Sequence, residues 1–159
     1  MNVRLLAITT VLLLVISGCA QSYNPERDKD CPGCDLSKAG LTGATLTGAT
    51  LTRVDLSHAK LCDAKLSLTK LSEANLWGAD LSRADLTRAD LSDANLTGAN
   101  LYMAYLSGAN LSGAYLRNAD FSQTILDHVE NANFTGALKV PDNYLIGTVR
   151  TGRPRSKWE

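Results

Sequence analysis

At 159 residues the chain is long enough for one domain with appendages, and its 16 basic and 16 acidic residues balance to a formal net charge of zero. That balance excludes a whole-molecule pull toward nucleic acid or a membrane surface. The distribution of residues along the chain is more informative than their totals.

Residues 1–18 read as a targeting segment that takes no part in the fold. Arg4 supplies the positive start and Leu5 to Ile16 is an apolar run of twelve. A span of the hydrocarbon core needs about twenty residues, so the segment is expected to be cleaved rather than retained. It ends Ile16-Ser17-Gly18-Cys19, which resembles the bacterial lipobox; the plainer alternative is an ordinary signal peptide with an incidental cysteine. The resemblance implies that Cys19 becomes a lipidated N-terminus. Three acyl chains, at about 0.8 kcal/mol per buried methylene, would hold it on a membrane permanently. Ala20 after that cysteine is consistent with the outer membrane in a diderm cell. Residues 19–30 form the tether: polar, aperiodic, with Pro25 and five consecutive charges from Glu26 to Asp30.

Cys31-Pro32-Gly33-Cys34 comes next, a spacing that can make a reactive pair. Counted back from the periodic stretch that begins at Leu36, Cys31 falls where a large apolar residue belongs and Cys34 where a small one belongs. Both are therefore expected to point inward, with Pro32 and Gly33 turning a corner. Three readings stay open: a buried cap, a structural disulfide suited to an oxidising envelope, or thiol–disulfide exchange, which would need exposed, low-pKa sulfurs.

From Leu36 to Leu126 a large apolar residue recurs every five positions. Seventeen are Leu, up to Leu116, and Phe121 and Leu126 complete the ladder. Two residues before each Leu, from position 39 to 119, stands Ala at fifteen of seventeen positions, the exceptions being Val54 and Thr69. A fixed short period marks a repeat architecture. On an α-helix each step of five advances about 500°, which would wind the leucines round every side. A long strand would throw successive leucines onto opposite faces, because five is odd. A coil that turns one corner per pentapeptide keeps every Leu and Ala inward.

These residues resemble the pentapeptide-repeat family, whose unit reads Ala, Asp or Asn, Leu and two variable residues, as in Ala74-Asn75-Leu76-Trp77-Gly78 and Ala84-Asp85-Leu86-Thr87-Arg88. The resemblance implies an all-β fold, a right-handed quadrilateral β-helix with four units to a turn. Nineteen units then make about five coils, a rod roughly 24 Å long. The family often opens its repeats with Cys-Pro-Gly-Cys-Asp-Leu, which implies a capping role for Cys31 and Cys34. The best-known activity in the family is mimicry of duplex DNA by long acidic rods that occupy DNA gyrase. Here the export signal and a sparse wall charge argue against it.

The solenoid is expected to cover residues 31–136, and 137–159 a C-terminal cap and basic tail. Stacked at twenty residues, the outward charges give five complementary pairs: Lys60 with Asp80, Lys65 with Asp85, Lys70 with Asp90, Asp63 with Arg83 and Arg53 with Glu73. A shift of twenty-five also gives five, so charge alone leaves the register open. Cys62 is expected to face out as a tolerated surface thiol. Tyr102, Met103, Tyr105 and Tyr115 are conspicuous on a polar wall and form a candidate interaction patch, with Tyr115 expected further along the same part of the rod and Trp77 one coil lower. His58 and His128 lie more than three coils apart, and no metal, cofactor or catalytic constellation emerges. Phe134 is three residues out of register, so a short bulge near Asp127 to Asn131 is expected. The segment Tyr144 to Val149 then reads as a strand-like cap, followed by Arg150, Arg153, Arg155 and Lys157.

From Asp35 to Asn133 the chain carries 8 basic and 11 acidic residues, and from Lys139 to Glu159 it carries 5 and 2. The functional expectation is a non-enzymatic envelope lipoprotein, membrane-bound through Cys19. It would present a structural or protein-interaction surface to an envelope protein or wall polymer, with no nucleic acid partner, as a monomer or an end-to-end homodimer.

Overall fold

The computed structural model describes residues 30–129 and 131–141; residues 1–29, with the expected targeting segment, Cys19 and nearly all of the expected tether, lie outside the described residues, as do Tyr144 to Val149 and the basic residues from Arg150 to Lys157. Each pentapeptide makes one wall and one corner. The Leu carbonyl accepts a hydrogen bond from the amide three residues on, as from Ala39 to Leu36 at 3.0 Å. The residue two after each Leu has φ of 55–60° where it is not glycine, from Lys38 to His128. A turn with φ positive at its third residue is type II, which places side chains rather than only Gly in a left-handed conformation that costs roughly 1–2 kcal/mol each.

The coil tolerates that strain because every turn is locked to its neighbours. Leu36 donates its amide to the Asp55 carbonyl at 2.6 Å, Lys38 to Ser57 at 2.8 Å, and Asp55 returns a bond to Cys34 at 2.8 Å. The same three bonds recur along the rod. Parallel bridges run from Asp35↔Asp55 to Tyr105↔Ile125, always twenty apart. Four units per coil is therefore the register, and the shift of twenty-five is excluded. Successive bridges define four walls. The first carries Asp35, Asp55, Asn75, Asn95 and Tyr115; the second Gly40, Lys60, Asp80, Asn100 and Asp120; the third Thr45, Lys65, Asp85, Tyr105 and Ile125; the fourth Thr50, Lys70, Asp90 and Asn110.

Leu and Ala fill the interior, with Leu36 to Leu116 nearly inaccessible throughout. Full burial of each Leu contributes very roughly 1.5–3 kcal/mol, and coil-on-coil stacking makes the stability a sum of neighbour terms. Thr69 and Thr124 stand at Ala positions and are also buried, and each hydroxyl donates to a carbonyl of the coil below, Leu46 at 2.9 Å and Leu101 at 2.7 Å. Where the residue before the core position is Asp or Asn it has a local role. Its side-chain oxygen accepts the amide two residues on, as Asp85 does from Thr87 at 3.0 Å and Asn95 from Thr97 at 3.1 Å. Such Asx turns fix the approach to each corner.

Both ends depart from the repeat. Asp30 lends its carboxylate to the Thr50 amide at 2.6 Å, closing the fourth wall from below. At the other end Phe134 is buried edge-on against Phe121, ring centroids 5.1 Å apart. The expected bulge is instead a shortened coil: Leu138 bridges Asp120 only eighteen residues away. Skipping one core position between Leu126 and Phe134 lets the last wall close without pushing chain outward.

Candidate interaction surface

The walls carry the chemistry, since the interior is closed. No group of three or more potential metal-ligating side chains occurs among the described residues. Cys31 and Cys34 are joined by a disulfide with a Cα–Cα distance of 5.5 Å, inside the normal range. Pro32 and Gly33, φ 69° at the latter, occupy the two middle positions of their turn, the order a type II turn favours. Cys31 is buried and Cys34 partly so, so the pair caps the first coil with its sulfurs turned toward the core.

Of the five charge stacks read from sequence, two are ion pairs. Arg53 grips Glu73 with two bonds of 2.9 and 3.1 Å, and Arg83 grips Asp63 with two of 2.8 and 2.6 Å. These guanidinium hydrogen bonds hold the Glu73 and Asp63 carboxyls below their ordinary range. Lys60, Lys65 and Lys70 are backbone neighbours of Asp80, Asp85 and Asp90, yet no ion pair joins them among the described residues. The geometry explains the difference. The paired residues sit at corners, where long side chains run along the rod, whereas those aspartates each turn one oxygen toward a turn amide. Cys62 is half-buried rather than fully exposed, and the Arg83 guanidinium donates to its sulfur at 3.3 Å.

Tyr102 and Met103 form the corner between the second and third walls, and Tyr105 opens the third wall, bridged to Ile125 above it. All four are exposed, by 39–49%. They make one contiguous apolar corner; Leu68, Trp77, Tyr115 and Leu138 are also exposed on the rod. Tyr115 does not belong to it. It bridges Asn95 on the first wall, and ten residues are half a turn, so it faces away from Tyr105. Trp77 sits at the corner between the first and second walls and rests edge-on against His58, centroids 4.5 Å apart. Ile125 does not stand out in the sequence as Tyr102 and Tyr105 do, although its place before a core residue marks it as outward-facing.

A closed apolar interior, four hydrogen-bonded walls and a twenty-residue register define a tandem-repeat solenoid of the quadrilateral β-helix class. The chain belongs to the pentapeptide-repeat family, whose model, described as Pentapeptide repeats, matches in 8 copies over residues 30–67, 64–102 and 104–138. Among solved structures it is similar to HetL, a pentapeptide repeat protein involved in heterocyst differentiation regulation from the cyanobacterium Nostoc sp. strain PCC 7120. The identity is 33% and the TM-score 0.57, over 64% of this chain and 56% of that one. The chain thus spans little more than half of that relative. Rfr23 from the cyanobacterium Cyanothece 51142 is 29% identical with a TM-score of 0.58, over 72% of this chain and 93% of that one. QnrB1, a plasmid-mediated fluoroquinolone resistance protein, is 21% identical with a TM-score of 0.33, over 60% and 54%. No curated protein matches the chain.

Proposed function

We propose that the protein is a non-enzymatic lipoprotein of the cell envelope, held on a membrane through acylated Cys19, whose rod serves as a protein-interaction surface. The observation that carries the interaction reading is the exposed corner of Tyr102, Met103, Tyr105 and Ile125. Binding energy concentrates in large, desolvatable side chains, and the surrounding Ser, Thr, Gly, Asp and Asn remain well hydrated. The envelope address rests on Ile16-Ser17-Gly18-Cys19.

The DNA-mimic reading would require a dense, regular anionic wall and a cytoplasmic location. Lys60, Lys65 and Lys70 interrupt three of the four walls. Duplex DNA presents one charge per about 1.7 Å, far more than these walls offer. The N-terminal mass of the mature protein and its fractionation separate the two: acylated Cys19 in the membrane fraction is expected, and an unprocessed Met1 chain in the cytosol would sink the lipoprotein reading. For the surface, Tyr102→Ser with Tyr105→Ser should leave folding and anchoring intact while reducing the yield of whichever envelope protein co-purifies from solubilised membranes. Equal yield from both would make the corner mere decoration.

A further inference from the structure

The end of the solenoid lies beside the top of the apolar corner. Phe121 donates its amide to the Leu138 carbonyl at 2.9 Å and Leu138 bridges Asp120, the last such contact on the second wall. Lys139 is exposed and has φ of 51°, whereas Phe121 and the core residues below it are buried with no positive φ, so the chain leaves the repeat just after Leu138. Tyr105 lies about 10 Å below that exit, two strand spacings.

The order of residues beyond Pro141 matches the order of residues on the wall beneath it. Down the third wall come Ile125, then Tyr105, then Asp85, with Tyr102 and Met103 beside them and Asp80 on the adjoining wall. Neither Asp80 nor Asp85 has an ion pair among the described residues. The chain past Pro141 carries Tyr144, Leu145, Ile146 and Val149, and then Arg150, Arg153, Arg155 and Lys157. Apolar residues come first in both, followed by carboxylates on the wall and by cations in the chain. The reach is sufficient: three to five residues span at most about 10–18 Å, enough to bring Tyr144 to Ile146 onto the corner.

We propose that the apolar corner is the docking site of the chain's own segment Tyr144 to Val149, with the following arginines set against Asp80 and Asp85. Apolar area removed from water supplies the attraction, and the carboxylates fix the direction in which the segment lies. An external partner would then gain the corner only by displacing the segment. This inference stands independently of where the protein resides.

Photocrosslinking in the full chain tests it, with benzoylphenylalanine placed at position 105 and, as a control on the opposite wall, at position 115. Mass mapping is expected to find intramolecular crosslinks from position 105 to peptides containing residues 144–149, and few from position 115. Leu145→Ser with Ile146→Ser should lower that yield several-fold, and replacing Arg150, Arg153 and Arg155 by Gln should weaken its dependence on salt. Equal yields from positions 105 and 115 overturn the proposal. So does a crosslink found only in a covalent dimer, which would assign the corner to a second copy, or one found only to another protein.

Discussion

The Thr69 hydroxyl donates to the Leu46 carbonyl of the coil below at 2.9 Å, from a position that is Ala in most units and is wholly buried. That carbonyl already accepts the Ala49 amide, so the hydroxyl is the group that needs the bond. Thr69→Val keeps the shape and removes the donor together with its partner requirement. The expected loss is about 1 kcal/mol or less, read as a small shift in denaturation midpoint. Val54, buried at the equivalent position, indicates that the site accepts the branched side chain.

Leu86→Asp and Thr87→Asp place the same carboxylate on adjacent residues with opposite fates. Leu86 is inaccessible, whereas Thr87 faces outward at the start of a corner. The first should cost upwards of about 4 kcal/mol through a buried, unpaired charge, and the second should be nearly silent. Equal losses in thermal midpoint would contradict the inward and outward assignment.

Two glycine corners share a backbone strain and differ in their surroundings. Gly78 and Gly98 have φ of 62° and 68°. A Cβ at Gly78 would lie 2.8 Å from the His58 ring, while one at Gly98 meets nothing within 4 Å. Both changes to Ala should destabilise by roughly 1–2 kcal/mol from the left-handed conformation. Gly78→Ala alone should also dislodge His58 from Trp77 and alter the Trp77 fluorescence.

The exposed ion pairs give a modest acid dependence. The carboxyls of Asp63 and Glu73 have folded pKa values below their unfolded ones, because each accepts hydrogen bonds from an arginine. Their stabilisation is therefore complete above the unfolded values, about 3.9 and 4.3, and is lost as pH falls through the folded values. Thermal midpoints should be level from neutrality to about pH 5 and fall below about pH 4, and Arg83→Gln should lessen that fall. An unchanged acid profile in the variant would show that Asp63 gains nothing from its partner.

The ladder is legible in the sequence because its period is incompatible with a straight helix or strand, so Leu36 to Leu126 can be assigned inward from spacing alone. The coil size is not, since charge stacks fit twenty and twenty-five equally; backbone bridges decide it. The expected placement of Tyr115 fails for the same reason. Sequence distance along a rod reads as proximity, whereas ten residues around a four-walled coil reverse direction. The lysine pairs fail because Asp80, Asp85 and Asp90 serve turn amides, a local bond that a stacking rule does not see.

Four walls per turn also constrain how such a protein changes length over generations. A tandem duplication of five residues between Cys34 and Ala99 would carry the Tyr102 corner a quarter turn around the rod relative to the N-terminal end, aiming it at a different neighbour. Duplication of twenty residues would leave its compass direction intact and raise it by about 4.8 Å. Lineages that depend on the direction of a binding corner are thus expected to gain and lose whole coils, and those free to explore new neighbours can do so by single units without rebuilding the core.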